Sequence, residues 1–143
     1  MEKVKNQEIC NQIIKVLKEN EYLKLLGIEI ISLSKGYCKG KMSVSDNIKN
    51  PYGSLHGGSL YSLADIIGGT AACTYGNYVT TVSGSMNFLL PAVGMDHVIC
   101  EAKKVRQGRH LAVYDMILTD DENHILENAS FTFYVTDEKV LKG

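Results

Sequence analysis

The chain has 143 residues, 45% of them hydrophobic and 22% charged, with 15 Lys and Arg against 16 Asp and Glu for a formal net charge of -1. That length provides one domain with a core of its own and no room for a second, and so even a balance lacks the basic excess that nucleic acid binding demands. No apolar run approaches the length of a membrane-spanning helix, and the opening "MEKVKNQEICNQIIKVLKEN" scatters acids and amides where a signal peptide has a continuous apolar core, so the cytoplasm is the expected address.

Residues 4–19 set Val4, Ile9, Ile13, Val16 and Leu17 at helical spacing between charges, which predicts an amphipathic helix laid on a surface. Gly27 marks a break. "IEIISLS" and "YCKGKMSV" flank Lys35-Gly36, and the second alternates Cys38, Met42 and Val44 with Lys39, Lys41 and Ser43, a hairpin signal. "DNIKNPYGSLHGG" reads as loop, because Pro51 biases Asn50 away from helix and Asp, Asn and Gly crowd around it. From Gly57 or Gly58 to about Tyr75 the period is helical, with Leu60, Leu63, Ala64, Ile67 and Ala71 on one stripe, and the helix is apolar nearly all round, which predicts burial.

Past Gly76 four β-rich segments, "YVTTVSGSMNFLL", "DHVICEAKKVRQ", "HLAVYDMILTD" and "ILENASFTFYVT", are separated by short turns, most simply an antiparallel meander, with Phe131, Phe133 and Val135 facing one way. A strongly bent antiparallel sheet wrapped around the apolar helix accounts for this order; a two-layer α+β sandwich of another topology is the alternative. Cys10, Cys38, Cys73 and Cys100 are far apart with no C-x-x-C pair and read as reduced core residues. His56, His97, His110 and His124 form no H-x-x-x-H or H-E-x-x-H pair, so no metal site is expected.

One acid stands out. Asp65 is the single carboxylate of "NPYGSLHGGSLYSLADIIGGTAA", sharing its helix face with Tyr61, Gly68, Gly69 and Ala72. Paired glycines inside a helix cost about 1 kcal/mol each against alanine, so they call for a compensating reason such as close approach by another backbone or a ligand. An isolated helical Asp ordinarily points to solvent or caps a neighbour; in apolar surroundings it is instead a group tuned for chemistry. If the helix begins near His56-Gly57-Gly58, its first amides are free to hold an oxyanion, and glycines there let a carbonyl come close. Asp65 lies more than two turns further on, roughly 10 to 12 Å along the axis, so a two-fold dimer with antiparallel helices is the arrangement that joins the two ends.

The run N-x-x-G-x-x-H-G-G with Asp65 beyond it, followed by "TTVSGSMNFLLPA" and "VRQGRHLAVYDMIL", resembles the hotdog-fold acyl-CoA thioesterases of the phenylacetic-acid-degradation (PaaI-like) and thioesterase-superfamily-member-2 type, from about residue 25 to about residue 136. The resemblance implies an α+β hotdog fold, a long buried helix wrapped by a curved antiparallel sheet, here with an N-terminal helical extension over about 1–26 of a single domain spanning 1–143. It also implies a homodimer with its active sites at the interface, assembled further to a homotetramer. Carried over by position, Asp65 is the nucleophile or the base that activates water, and Gly57 N–H polarises the thioester carbonyl. Asn50 orients the water or the carbonyl, Ser83 helps position the acid, and His56 stands beside the carbonyl or sulfur.

Each has an ordinary alternative: a turn for Asn50, a helix start for Gly57, a loop histidine, a plain strand serine. Lys103, Arg106 and Arg109 of "KKVRQGR" can reach the phosphates of coenzyme A, or form a solvated strand edge. Ser85 and Leu90 stand where relatives often carry an acid and an Arg, which unsettles any map of coenzyme contacts. The expected reaction is hydrolysis of an acyl-CoA to acid and CoA, with no cofactor beyond the CoA of the substrate. The rivals are a non-catalytic acyl-CoA binding or sensing module on the same fold and a hotdog hydratase; the sequence does not name the acyl group.

Overall fold

The computed structural model describes residues 1–142. Two helices, α1 (Glu2–Lys18) and α2 (Glu21–Leu26), precede the hairpin β1 (Ile28–Ser34) and β2 (Tyr37–Ser43); a 3₁₀ turn, Asp46–Ile48, leads to the central helix α3 (Gly57–Cys73), and β3 (Asn77–Phe88), β4 (His97–Gln107), β5 (Leu111–Thr119) and β6 (Ile125–Lys139) follow. The six strands form one antiparallel sheet in the order β1-β2-β4-β5-β6-β3. Helix α3 contacts all six. Strands lie about 4.8 Å apart and a helix is about 10 Å across, so only a sheet curled around the helix can reach it along its whole width.

Burial of α3 follows from its sequence: Leu60, Leu63, Ala64, Ile67 and Ala71 are at most 3% exposed and lie in one core with Phe131, Phe133, Met116 and Tyr114. Small residues let it sit close. A Cβ on Gly68 would lie 3.0 Å from Met116 Sδ and 3.2 Å from Phe133 Cζ, and one on Gly40 of β2 would collide with Ile67. Gly69 is different, since its Cβ would stand 3.5 Å from Phe133 at ordinary contact. Of the paired glycines, then, packing against the sheet accounts for the first alone.

Two expectations change. The meander holds only for β4-β5-β6; β3 pairs with β6, from Asn77↔Lys139 to Phe88↔Glu127, and β4 takes β2 as its other neighbour. The connection 89–96 is long enough to carry the chain across the sheet, so adjacency in sequence does not become adjacency in space there. At the N-terminus, the expected helix over 4–19 is followed by a second one. Asn20 leaves the helical region (φ -78, ψ 123) and its side-chain oxygen accepts from the N–H groups of Tyr22 and Leu23 at 3.0 and 3.1 Å, capping α2. Gly27 closes α2 at φ +72, a left-handed conformation that favours glycine. Helix α1 buries Ile9, Cys10 and Ile13, with Val4 and Val16 left exposed, and crosses the end of α3 near Cys73 and Val140. All four cysteines are free and buried.

The alternation that turns Phe131 and Phe133 inward also turns Glu127 inward, 1% exposed, in a row with Phe88, Leu118 and Cys100. Its Oε2 has no hydrogen-bond partner among the described residues, and burial raises its carboxyl from the usual 4.5 to about 7. The folded state therefore keeps this proton over a pH range where the unfolded chain has lost it, and stability falls as pH rises from about 4.5 to about 7, by on the order of 3 kcal/mol. Urea unfolding across that range is expected to show the decline in the wild type and a flatter profile in Glu127→Gln, the two differing most above pH 7.

Candidate active site

The loop before α3 is a frame of hydrogen bonds. Asn50 Oδ1 accepts from the N–H groups of Tyr52 and Ser54 at 2.9 and 3.2 Å, and its Nδ2 donates to Ser54 Oγ at 2.6 Å, so most of the side chain holds its own turn. One Nδ2 hydrogen remains for another acceptor. The N–H of His56 reaches Ile48 O at 2.8 Å and that of Leu55 reaches Ala92 O at 3.0 Å, tying the loop to its surroundings.

His56 is the N-cap of α3. Its Nδ1 accepts from Gly58 N–H at 2.9 Å, and its carbonyl accepts from the N–H groups of Ser59 and Leu60. An accepting Nδ1 puts the proton of the neutral ring on Nε2. The cap thus occupies three of the first four amides of the helix, and Gly57 N–H alone has no acceptor among the described residues. The amide is half-buried beside Phe88, whose ring lies 3.5 Å from where a Gly57 Cβ would be. One donor, carrying the positive end of the helix dipole, stands ready for an anionic oxygen.

Asp65 lies two turns on and half-buried, accepting a hydrogen bond from Thr81 Oγ1 at 2.5 Å. It edges a pocket of about 210 Å³ that also touches Gly69, Val79 and residues of α1. Eight residues of helical rise separate it from Gly57, about 12 Å along the axis, so one protomer holds the acid and the free amide but does not bring them together.

The expected partner of Asp65 was Ser83; the residue that meets it is Thr81. Between Thr81 and Ser83 the β3-β6 register slips, with Thr81 opposite Phe133 and Ser83 opposite Thr132. The extra residue, Val82, reverses the parity. Thr81 therefore shares the face of Phe133, while Ser83, exposed as Thr81 is, lies on the other face and makes no hydrogen bond through its side chain among the described residues. Strict alternation from Val79 points to Thr81, but nothing in "VTTVSGS" announces the bulge.

The basic residues lie at the other end of the helix, where β4 turns into β5. Lys103, Arg106 and Arg109 are all exposed; Lys103 pairs with Glu101 at 3.6 Å, and Arg109 edges a shallow groove with Tyr75, Asn77 and Gln107. They form an open, solvated cluster and not a closed phosphate cradle. Among the described residues no group of three or more His, Cys, Asp or Glu could hold a metal ion, and no helix is long and apolar enough to cross a membrane.

The family model of the thioesterase superfamily matches residues 52–127, which run from the capping loop through Asp65 to Glu127. The chain belongs to that superfamily. Within it the likeness is to PaaI-like hotdog thioester hydrolases: the acyl-coenzyme A thioesterase PaaI of Escherichia coli strain K12 is 32% identical over 99 residues, 69% of this chain and 71% of that one. The structure of the E. coli PaaI protein from the phenylacetic acid degradation operon superimposes with a TM-score of 0.86 at 26% identity, covering 92% of this chain and 96% of that chain. A hypothetical thioesterase of Streptococcus pneumoniae TIGR4, solved with coenzyme A, has a TM-score of 0.75 at 30% identity over 78% of this chain and 88% of its own.

Removing the Thr81 hydroxyl tests whether that bond orients the acid. The bond is solvent-exposed, so it contributes at most about 1 kcal/mol, and Thr81→Val is expected to lower thioester turnover by up to about five-fold, with an unchanged melting curve. Thr81→Ser, which keeps the donor, is expected to retain most of the rate.

Proposed function

We propose that the protein hydrolyses acyl-CoA thioesters to the free acid and CoA, working as a homodimer in which Asp65 of one protomer faces the Gly57 N–H of its partner. The observation that carries this reading is the division of the helix: a free amide at its mouth, an acid two turns on, and about 12 Å between them. Pairing two such helices antiparallel about a two-fold axis builds two complete sites from two half-sites.

The exposed surface supports the pairing. Strand β3 is an edge of the sheet, with Val82 and Phe88 exposed on it and Leu89, Leu90 and Val93 exposed just beyond, a long apolar margin of the kind that proteins cover. A further homotetramer is part of the proposal, as is a cytoplasmic location, which suits four unpaired thiols.

In the reaction, the thioester carbonyl accepts from Gly57 N–H, which stabilises the negative charge that develops on its oxygen. Asp65, held by Thr81, either takes a proton from the attacking water or attacks the carbonyl carbon itself and is then released by water. The C–S bond breaks as the tetrahedral centre collapses, and CoA leaves as a thiolate that is protonated on release. Asn50 orients the water or the carbonyl through its remaining N–H, and His56 holds the mouth open as the cap; the positioning of the acid expected of Ser83 falls to Thr81. Lys103, Arg106 and Arg109 meet the CoA phosphates. Thioester carbonyls are electrophilic and thiolates leave readily, so the reaction as proposed needs no metal or redox cofactor.

Two variants isolate the two halves. Asp65→Asn is expected to lower kcat by about 10² to 10⁴ without loss of folding, followed by release of free thiol from a panel of acyl-CoAs. Gly57→Pro removes the single free donor, and the backbone suits it: position 57 is the first of the helix, where proline is favoured, and His56 already has the extended conformation (φ -64, ψ 135) that precedes one. A loss of about 10² or more in kcat with an intact fold is expected. Refolding the two inactive variants together is expected to restore about a quarter of wild-type activity, because half of the random dimers are mixed and each mixed dimer has one intact site. No recovery on mixing would place the whole site in one chain; acyl-CoA binding without turnover by the wild type would leave the non-catalytic alternative.

A further inference from the structure

We propose that Tyr61 is a positioning residue of the site: it meets its own copy on the two-fold axis, and that contact sets the gap between each acid and the partner's free amide. The inference rests on the pairing proposed above. Any two-fold that brings Asp65 level with the partner's Gly57 exchanges those two positions, so only the position midway between them stands opposite its own copy. That position is Tyr61. Gly57, Tyr61 and Asp65 follow one another at intervals of four residues on one face of α3, about 6 Å apart along its axis.

The edge strand marks the same level. Strand β3 runs antiparallel to α3, with Thr81 against Asp65, Gly84 beneath Tyr61 and Phe88 beside Gly57. A Cβ on Gly84 would lie 2.5 Å from the Tyr61 hydroxyl and 2.6 Å from the ring of Phe131, so the bare backbone is what lets the phenol reach over the strand. Most of β3 from 80 to 88 is exposed, and Gly84 is the middle of that stretch. Helix and strand agree on one axis, the helix through the spacing of its two half-sites and the strand through the centre of its open edge.

Tyr61 is built as a prop. It is the one large residue of α3 left exposed, at 39%, while Leu60, Leu63 and Ala64 around it are buried. Its ring packs on that of Phe131 with centroids 4.9 Å apart, and Phe131 is wholly buried, so the core braces the ring from behind. The side turned away from Phe131 is the side a second copy meets. Braced, exposed aromatics of this kind anchor interfaces. Two such rings on the axis hold the helices a fixed distance apart, and because the axis relates the two sites, one contact sets both gaps.

Tyr61→Phe keeps the ring and is expected to keep the wild-type kcat. Tyr61→Ala removes the prop, and a misplacement on the order of 1 Å is expected to lower kcat about 10²-fold at a temperature where circular dichroism shows the variant folded. A residue that only stabilised the core would shift the melting temperature and leave the kcat of the folded protein unchanged. The axis is read separately with Tyr61→Cys and bismaleimidoethane, a short thiol-to-thiol crosslinker. A covalent dimer is expected on a denaturing gel, whereas Ser62→Cys, at a position turned toward Tyr22 of α2, is expected to stay monomeric. The four native thiols are buried and leave the background clean. Crosslinking at 61 in a protein whose wild type cleaves none of the acyl-CoAs would keep Tyr61 on the axis but end the hydrolase reading and the positioning role with it. Thiol release by the wild type would overturn the prop alone if 61 fails to crosslink, if Tyr61→Ala keeps full kcat, or if Tyr61→Phe is as impaired as Tyr61→Ala.

Discussion

An α-helix with no polar face has to be enclosed, and that requirement shapes the molecule. Helix α3 carries apolar or tiny residues around most of its circumference, and a curled sheet that touches it with every strand is what keeps it from water. Gly40 and Gly68 bring sheet and helix together at distances larger residues would forbid. Two polar groups of the helix, the Gly57 amide at its mouth and Asp65 beside Thr81 of the edge strand β3, are left outside that enclosure. The proposed chemistry stands where the enclosure is incomplete.

The same enclosure divides the labour of the site. The rise of the helix fixes acid and amide about 12 Å apart, and capping by His56 leaves one donor free at the N-terminus. Neither half is adjustable without disturbing the core, because Leu60, Leu63 and Ala64 between them are among the most buried residues. Symmetry is the economical way to join two groups that a rigid rod holds apart.

Much of this was legible before any coordinates. The apolar stripe of α3, the hairpin at Lys35-Gly36 and the boundaries of the last four strands follow from period and punctuation, which are local. What sequence alone did not reveal is non-local: β3 joins β6 across the helix because the connection 89–96 permits it, and no periodicity encodes that choice. The bulge at Val82 is equally silent, and it is why Ser83, on a strand correctly located, lies on the other face from Thr81. Glu127 is the opposite case. The parity of Phe131 and Phe133 places it inward, so a buried acid was readable from "ILENASF" by counting in twos. The lone acid of α3 stood out in the sequence, whereas the depression beside it did not, because α1 supplies one side of it from about fifty residues away.

The four cysteines acquire a meaning from the reaction. On the proposed reading each turnover liberates a mercaptan against the protein surface, and an accessible thiolate there would be open to mixed-disulfide adducts with the product under oxidative stress. Burial raises the thiols of Cys38 and Cys73 to about 12 and about 11, raises that of Cys10, and raises that of Cys100 well above its ordinary value. Burying every sulfhydryl keeps it protonated, even Cys73, which lines the depression beside Asp65, so the catalyst is insulated from the nucleophile it makes.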